Sequence, residues 1–192
     1  MKLNFNEKMM RFKEGPPRET SLFLLTMFEI ALEMKPEVIL EIGIHNCIST
    51  HAWLSALAHN KKGKLYAIDV IDFAYNVVDE ELRKYLEFTK ADSREFYKTW
   101  DKEIDILHID GDHSYETCKL DYENYYPFVK PGGFIFIHDV IHWQGVTKFW
   151  EEIEDEKIYL PFYDGMGIVQ KNGLTPKDIA KTRVHLAGKK YE

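Results

Sequence analysis

Cysteine is scarce in this chain. Cys47 and Cys118 are the only two in 192 residues, too few for a disulfide framework and in keeping with a reducing compartment. Long apolar runs are missing as well. No stretch approaches the roughly 18 apolar residues of a membrane span, and the start MKLNFNEKMMRFKEG has no apolar signal-peptide core. The expected location is therefore cytoplasmic, with no membrane partner. Positive charge is in deficit, with 25 Lys and Arg against 32 Asp and Glu and a net charge of −7. The basic residues are scattered, apart from Lys189-Lys190, so a nucleic-acid partner is not expected. Internal repeats and low-complexity segments are absent too.

Glycine is short where it would matter for a nucleotide-type loop. The segment EIGIHNCIST, 41–50, follows the apolar run Val38-Ile39-Leu40 but carries only Gly43. A G-x-G-x-G reading puts His45 and Cys47 in the later glycine slots. A nicotinamide dehydrogenase would need G-x-G-x-x-G at this place, which argues against that class.

What is present is an alternation. Apolar, β-rich runs recur at 38–42, 65–70, 104–109 and 134–137, with a weaker one at 88–91. Helical patterns lie between them at 49–58, 79–85, 93–100, 114–126 and 146–153. A further helix, capped by Thr20-Ser21, runs to about residue 33 and is ended by Pro36. Continuous apolar strands alternating with helices predict a parallel sheet covered on both faces. Runs at 158–162 and 167–170 flank Tyr163-Asp164-Gly165-Met166 and predict a hairpin, with Pro161 marking an edge or a bulge. The expected fold class is α/β, a Rossmann-like doubly wound sheet of about seven strands. Most are parallel, with an antiparallel C-terminal hairpin. The length suits one domain over 1–192, divided into an arm and helix (1–35), a cofactor-binding core (36–170) and a tail (171–192).

Ligands of open α/β sheets bind at the carboxyl ends of the strands. Here those ends carry Glu41, Asp69, Asp92-Ser93, the run His108-Ile109-Asp110-Gly111-Asp112-His113, and His138-Asp139. One acid at a strand end is ordinarily a helix cap. Five in succession point to a ligand site. Asp69 stands where such folds place the acid that binds ribose hydroxyls. Asp112 or Ser114 is expected to cap the helix that follows, and His108 to be a core histidine. His142 is expected in a solvent-facing loop or lid. Most of Trp150, Tyr115, Tyr122, Tyr125 and Tyr126 are expected in the core, and Trp143 is the best candidate for a ring that touches substrate.

HIDGDHSYE (108–116), VKPGG (129–133) and FIHDV (136–140) carry a resemblance to class I S-adenosylmethionine-dependent methyltransferases, which extends from about Pro36 to Val169. The match is best to the small-molecule O-methyltransferase branch. The resemblance implies S-adenosylmethionine as cofactor and methyl transfer to a hydroxyl of a small molecule, with a sugar as one option. It implies that Glu41 and Gly43 flank the cofactor's methionine part, that Asp69 holds the ribose, and that Asp92 and Ser93 sit near the adenine. Asp110 would face the reacting centre. In relatives that need a divalent metal, such as Mg²⁺, the acids matching Asp110 and Asp139 are ligands. The residue after the second is often Asn there and is Val140 here.

Methyl transfer needs an acceptor oxygen held in line with the sulfonium methyl and relieved of its proton. His113 or His138 can act as general base, with Asp110 and Asp139 completing the catalytic group. Alternatively, a cation on Asp110 and Asp139 can acidify the hydroxyl. Gly43 supplies the turn after the first strand, Asn46 is expected to take any left-handed conformation, Ser49 to cap the next helix beside the cofactor, and Cys47 to narrow the cofactor site. Two rival readings stand beside this one: a metal-dependent hydrolase built on the HIDGDH cluster, and a cofactor-binding module without catalysis. The chain is short enough for a homo-oligomer with arms crossing between copies to be an option.

Overall fold

The computed structural model describes residues 23–72 and 77–172. The proposed Thr20-Ser21 cap and the 173–192 portion of the tail lie outside them. Seven strands form one sheet: β1 (Val38–Ile42), β2 (Lys64–Asp69), β3 (Leu86–Lys90), β4 (Ile104–Ile109), β5 (Val129–His138), β6 (Glu156–Leu160) and β7 (Met166–Gln170). Their spatial order is β3-β2-β1-β4-β5-β7-β6. β1 to β5 pair in parallel, and β7 runs antiparallel to both β5 and β6. β6 therefore shares the direction of β5, and β7 is the one reversed strand. The expected C-terminal hairpin is present, and Pro161 follows β6 at the free edge of the sheet, where a missing N–H does no harm.

The helices are α1 (Leu24–Met34), α2 (Ile48–Asn60), α3 (Ser93–Phe96), α4 (Tyr115–Tyr125) and α5 (Gln144–Glu152). One face of the sheet is covered by α2, with α1 packed against it. Every residue of α2 from Ser49 to Leu57 is buried, because the helix is packed among the sheet, α1 and the segment Glu80–Tyr85. Trp53 fills the centre of that layer, edge-on to Phe136 at 5.1 Å. The opposite face is covered by α4 and α5 through Tyr122, Tyr125, Phe149 and Trp150. Each fully buried Ile or Leu of the central strands contributes about 1.5–3 kcal/mol by leaving water.

Three elements differ from the sequence expectation. The 79–85 segment is a 3-10 helix, Glu80–Tyr85, rather than an α-helix. The helix expected over 93–100 stops at Phe96 and tightens into a 3-10 turn, Tyr97–Thr99, where the Thr99 hydroxyl donates to the Phe96 carbonyl. The fifth strand starts five residues early, at Val129, because Val129-Lys130-Pro131-Gly132-Gly133 forms a bulged entry whose pairing with β4 shifts between Ile104 and Ile106.

The strand order reverses between β1 and β4, which opens a crevice at their carboxyl ends.

Candidate active site

A cleft of about 690 Å³ lies on that edge. The ends of β1 to β5 contribute Gly43, Asp69, Asp92, Ser93, Asp110, His113, His138 and Asp139 to its walls, with Trp143 at the rim. Glu41 and Ser49 do not line it. A shallower hollow of about 440 Å³ between α4 and α5 contains no strand-end residue.

The loop after β1 shows why a single glycine suffices. Gly43 has φ +82°, and a Cβ there would lie 2.0 Å from the Asp110 carbonyl oxygen. The β1 and β4 ends cross too closely for any side chain. His45 (φ 32°) and Cys47 (φ 56°), not Asn46, take the other left-handed positions. Cys47, rather than Ser49, is the residue that caps α2, and no side chain caps that helix. Cys47 is fully buried and is not part of the cleft wall.

Asp69 clamps this loop. Its Oδ2 accepts from the amides of Ile44 (2.9 Å) and His45 (3.3 Å), and its Oδ1 accepts from Ile71 N–H (2.9 Å). Asp92 caps α3 by accepting from Arg94 N–H, and the Arg94 guanidinium beside it brings its pKa down to about 2.

Glu41 is fully buried beneath the cleft. Its Oε2 accepts from the Thr50 hydroxyl (2.7 Å), and its Oε1 lies 3.1 Å from His108 Nδ1. The strand pleat turns this carboxylate toward α2 and away from the cleft. Glu41→Ala should therefore destabilise the fold by about 1–3 kcal/mol, the usual loss when buried hydrogen-bonding groups are left without their partner. Denaturant melts measure that loss, and ligand titration of the folded fraction should show unchanged affinity.

At the other end of the cleft four predicted residues converge. His113 Nε2 lies 2.7 Å from Asp139 Oδ2. His138 Nδ1 lies 3.0 Å from Asp139 Oδ1 and 3.3 Å from Asp110 Oδ1. Burial works against the His138 charge, but the two carboxylates outweigh it and raise its pKa to about 10. Burial also works against the Asp139 charge, and there the two histidines win and hold the carboxyl at about 2. The Asp139 hydrogen bond raises the His113 pKa. The Trp143 ring stacks on His113, with centroids 4.7 Å apart and an interplanar angle of 24°.

The HIDGDH run does not act as one cluster. His108 is the core histidine expected, tied to Glu41, and Asp112 turns back to accept from Ser114 N–H, while Ser114 caps α4. Only Asp110 and His113 of that run join Asp139, with donor atoms within 4.8 Å of one another. The hydrolase reading drew on the whole HIDGDH cluster, and only two of its residues reach this site. A divalent cation does fit the three residues, since two carboxylates and an imidazole suit Mg²⁺ or a first-row ion. Asp139 Oδ1 supports this fit: it is buried without an aligned hydrogen-bond donor, despite the nearby His138. His142, expected in a loop, is exposed there and lies 3.2 Å from Asp164.

Asp121 is a cleft residue that the sequence pattern does not announce. The signal was an acid among Cys118, Tyr122 and Tyr125 on the buried face of α4.

A mostly parallel seven-stranded sheet with a reversed β7, and acids at successive strand ends, defines a class I S-adenosylmethionine-dependent methyltransferase fold. The chain belongs to the family described as methyltransferase domain, whose match covers residues 40–140, more than half its length. It resembles the structure of the O-methyltransferase TomG from Streptomyces achromogenes, in complex with S-adenosylmethionine, at a TM-score of 0.68 and 18% identity over 86% of this chain and 87% of that one. The S-adenosylhomocysteine-bound methyltransferase PaMTH1 of Podospora anserina is similar at 0.67 and 17%, over 87% of each chain. CalS11, a TDP-rhamnose 3'-O-methyltransferase of calicheamicin biosynthesis, superimposes at 0.64 and 14%, over 85% of this chain and 91% of its own. A curated relative, the uncharacterised protein y4gI of Sinorhizobium fredii, is 25% identical over 156 residues, 71% of this chain but only 17% of that protein's length. No described helix is long and apolar enough to cross a membrane.

Proposed function

We propose that this protein transfers the methyl group of S-adenosylmethionine to a hydroxyl of a small molecule, with glycosyl hydroxyls among the candidates. The observation that carries the reading is the His113–Asp139 pair beside Asp110, at the end of a cleft that begins at the Gly43 loop. Asp139 accepts from His113 Nε2–H, which leaves Nδ1 with the lone pair. That nitrogen is the general base for the acceptor hydroxyl, a role worth about 10²–10⁴ in rate. His138 is the poorer base, because two carboxylates hold its proton and its Nε2 is buried without a partner. A cation on Asp110, His113 and Asp139 would instead supply Lewis acidity, lowering the pKa of the hydroxyl. Trp143, stacked on His113 and half-exposed at the rim, is the surface on which an acceptor would rest. A glycosyl acceptor draws its support from the likeness to the TDP-rhamnose enzyme.

Calorimetric titration with S-adenosylhomocysteine tests the cofactor. Binding is expected, and no heat at up to about millimolar ligand would rule out the reading. Turnover of a hydroxyl acceptor with and without EDTA then separates the two routes to the proton. Loss in EDTA, with recovery on adding Mg²⁺ or Mn²⁺, assigns the cation, and undiminished turnover assigns His113 alone. Binding without turnover across neutral, phosphorylated and glycosylated acceptors would favour the non-catalytic module.

A further inference from the structure

We infer that residues 173–192 of this chain dock in the hollow between α4 and α5, with their basic side chains on its acidic rim and Val184 and Leu186 on its apolar floor.

The hollow, of about 440 Å³, lies at the C-terminal ends of both helices. Tyr122, Phe149 and Ile153 line it and are buried, so they form its floor. Glu123, Glu152 and Glu154 line it and are exposed, so they form its rim, with Asp155 beside them. Lys119 answers Glu152 at 3.1 Å and reaches Glu123 only at 4.0 Å. Among the described residues no Lys, Arg or His pairs with Glu154 or Asp155. The negative ends of two helix dipoles add to this charge, so the rim attracts cations.

The chain itself delivers them. The reversed β7 ends on the sheet edge opposite the cleft, where α4 and α5 also end. Just beyond it, Lys171 Nζ donates to the Tyr126 and Val129 carbonyls, at 2.8 and 2.7 Å, and stands 4.4 Å from the centroid of the Tyr126 ring. Tyr126 is a wall of the hollow, so the chain leaves the sheet beside it. The residues that follow carry Lys177, Lys181, Arg183, Lys189 and Lys190 against Asp178 and Glu192, a positive balance in a chain of net charge −7. In an extended backbone Val184 and Leu186 fall on one side, opposite Arg183 and His185. The stretch from Asn172 to Val184 reaches up to about 40 Å, whereas the α4 wall from Lys119 to Tyr126 is only about 10 Å long. Residues 1–22 are the poorer occupant, because they join the chain at Phe23, in the α2 layer across the sheet. A docked segment ties together two helices whose opposite ends carry His113 and Trp143.

The test uses the full chain as an equal mixture of isotopically labelled and unlabelled protein. A carbodiimide joins lysine amines to the carboxylates they touch, and mass spectrometry maps the linked peptides. Links from Lys181, Lys189 or Lys190 to Glu123, Glu154 or Asp155 are expected, each within one isotope. Links that mix isotopes put a second copy's segment in the hollow and overturn the inference, as does an absence of links to these acids. Trypsin gives the energetic reading. Cleavage after Lys181 and Arg183 should be about two- to tenfold faster in a Glu123→Gln/Glu154→Gln variant, which removes two exposed ion pairs. Both substitutions fall on exposed side chains outside the cleft, and equal cleavage rates in variant and wild type also overturn the inference.

Discussion

Asp139→Ala should lower turnover by about 10³ or more while leaving S-adenosylhomocysteine affinity unchanged. One side chain serves three purposes here. It holds His113 at 2.7 Å, it is one of the two carboxylates that stabilise the His138 charge, and it would be one of the three ligands of a cation held with Asp110 and His113. Removing it disorients the base, worth about 10²–10⁴ by itself, and deletes a ligand of any bound ion. It also leaves a buried imidazolium facing Asp110 alone, so a lower melting temperature is expected alongside the kinetic loss. Asp139→Asn keeps the shape and separates the two effects. It should restore much of the stability and little of the rate. Single-turnover kinetics with saturating cofactor provide the measurement, and full activity in either variant would remove Asp139 from the mechanism.

Gly43→Ala is expected to be the more damaging change to the fold. The backbone at φ +82° is one that an L side chain rarely adopts, and the new methyl would meet the Asp110 carbonyl oxygen at 2.0 Å. Strain of this kind costs about 1–3 kcal/mol, and forced overpacking adds about as much again. The β1 and β4 ends must then separate. Asp110 N–H would lose its bond to the Ile42 carbonyl, now 2.8 Å. Because the same movement displaces Asp110, cofactor binding and catalysis should fail together. Urea melts and ligand titration on whatever fraction folds will show it. An alanine variant of native stability would mean that the loop has more freedom than its geometry allows.

These two sites show what the residue order reveals and what it does not. The ends of β2, β4 and β5 were legible because continuous apolar runs stop where acids begin, and that put Asp69, Asp110 and Asp139 on the working edge. The alternation of the pleat was harder to read. Glu41 also stands near a strand end, yet it points into the α2 layer, since a one-residue difference in position reverses the face. The beginning of β5 was missed because Pro131-Gly132-Gly133 has the composition of a turn although it extends a strand through a bulge. The His113–Asp139 pair joins two loops whose proximity follows from β4 lying beside β5, a fact of topology rather than of spacing. Asp121 carried only a weak signal, an acid among Cys118, Tyr122 and Tyr125 on one face of α4.

The buried Glu41 has a consequence for how the chain assembles. Its two partners come from different stretches of sequence, Thr50 nine residues away and His108 sixty-seven residues away. Until β4 docks, the carboxylate has half its partners and keeps its hydration. Once it docks, opening any one of β1, α2 or β4 strands buried polar groups without their hydrogen-bond partners. The three elements should therefore exchange their amide hydrogens as a single unit at the global unfolding free energy, while the β6 edge, with Ile158 and Tyr159 exposed, opens earlier.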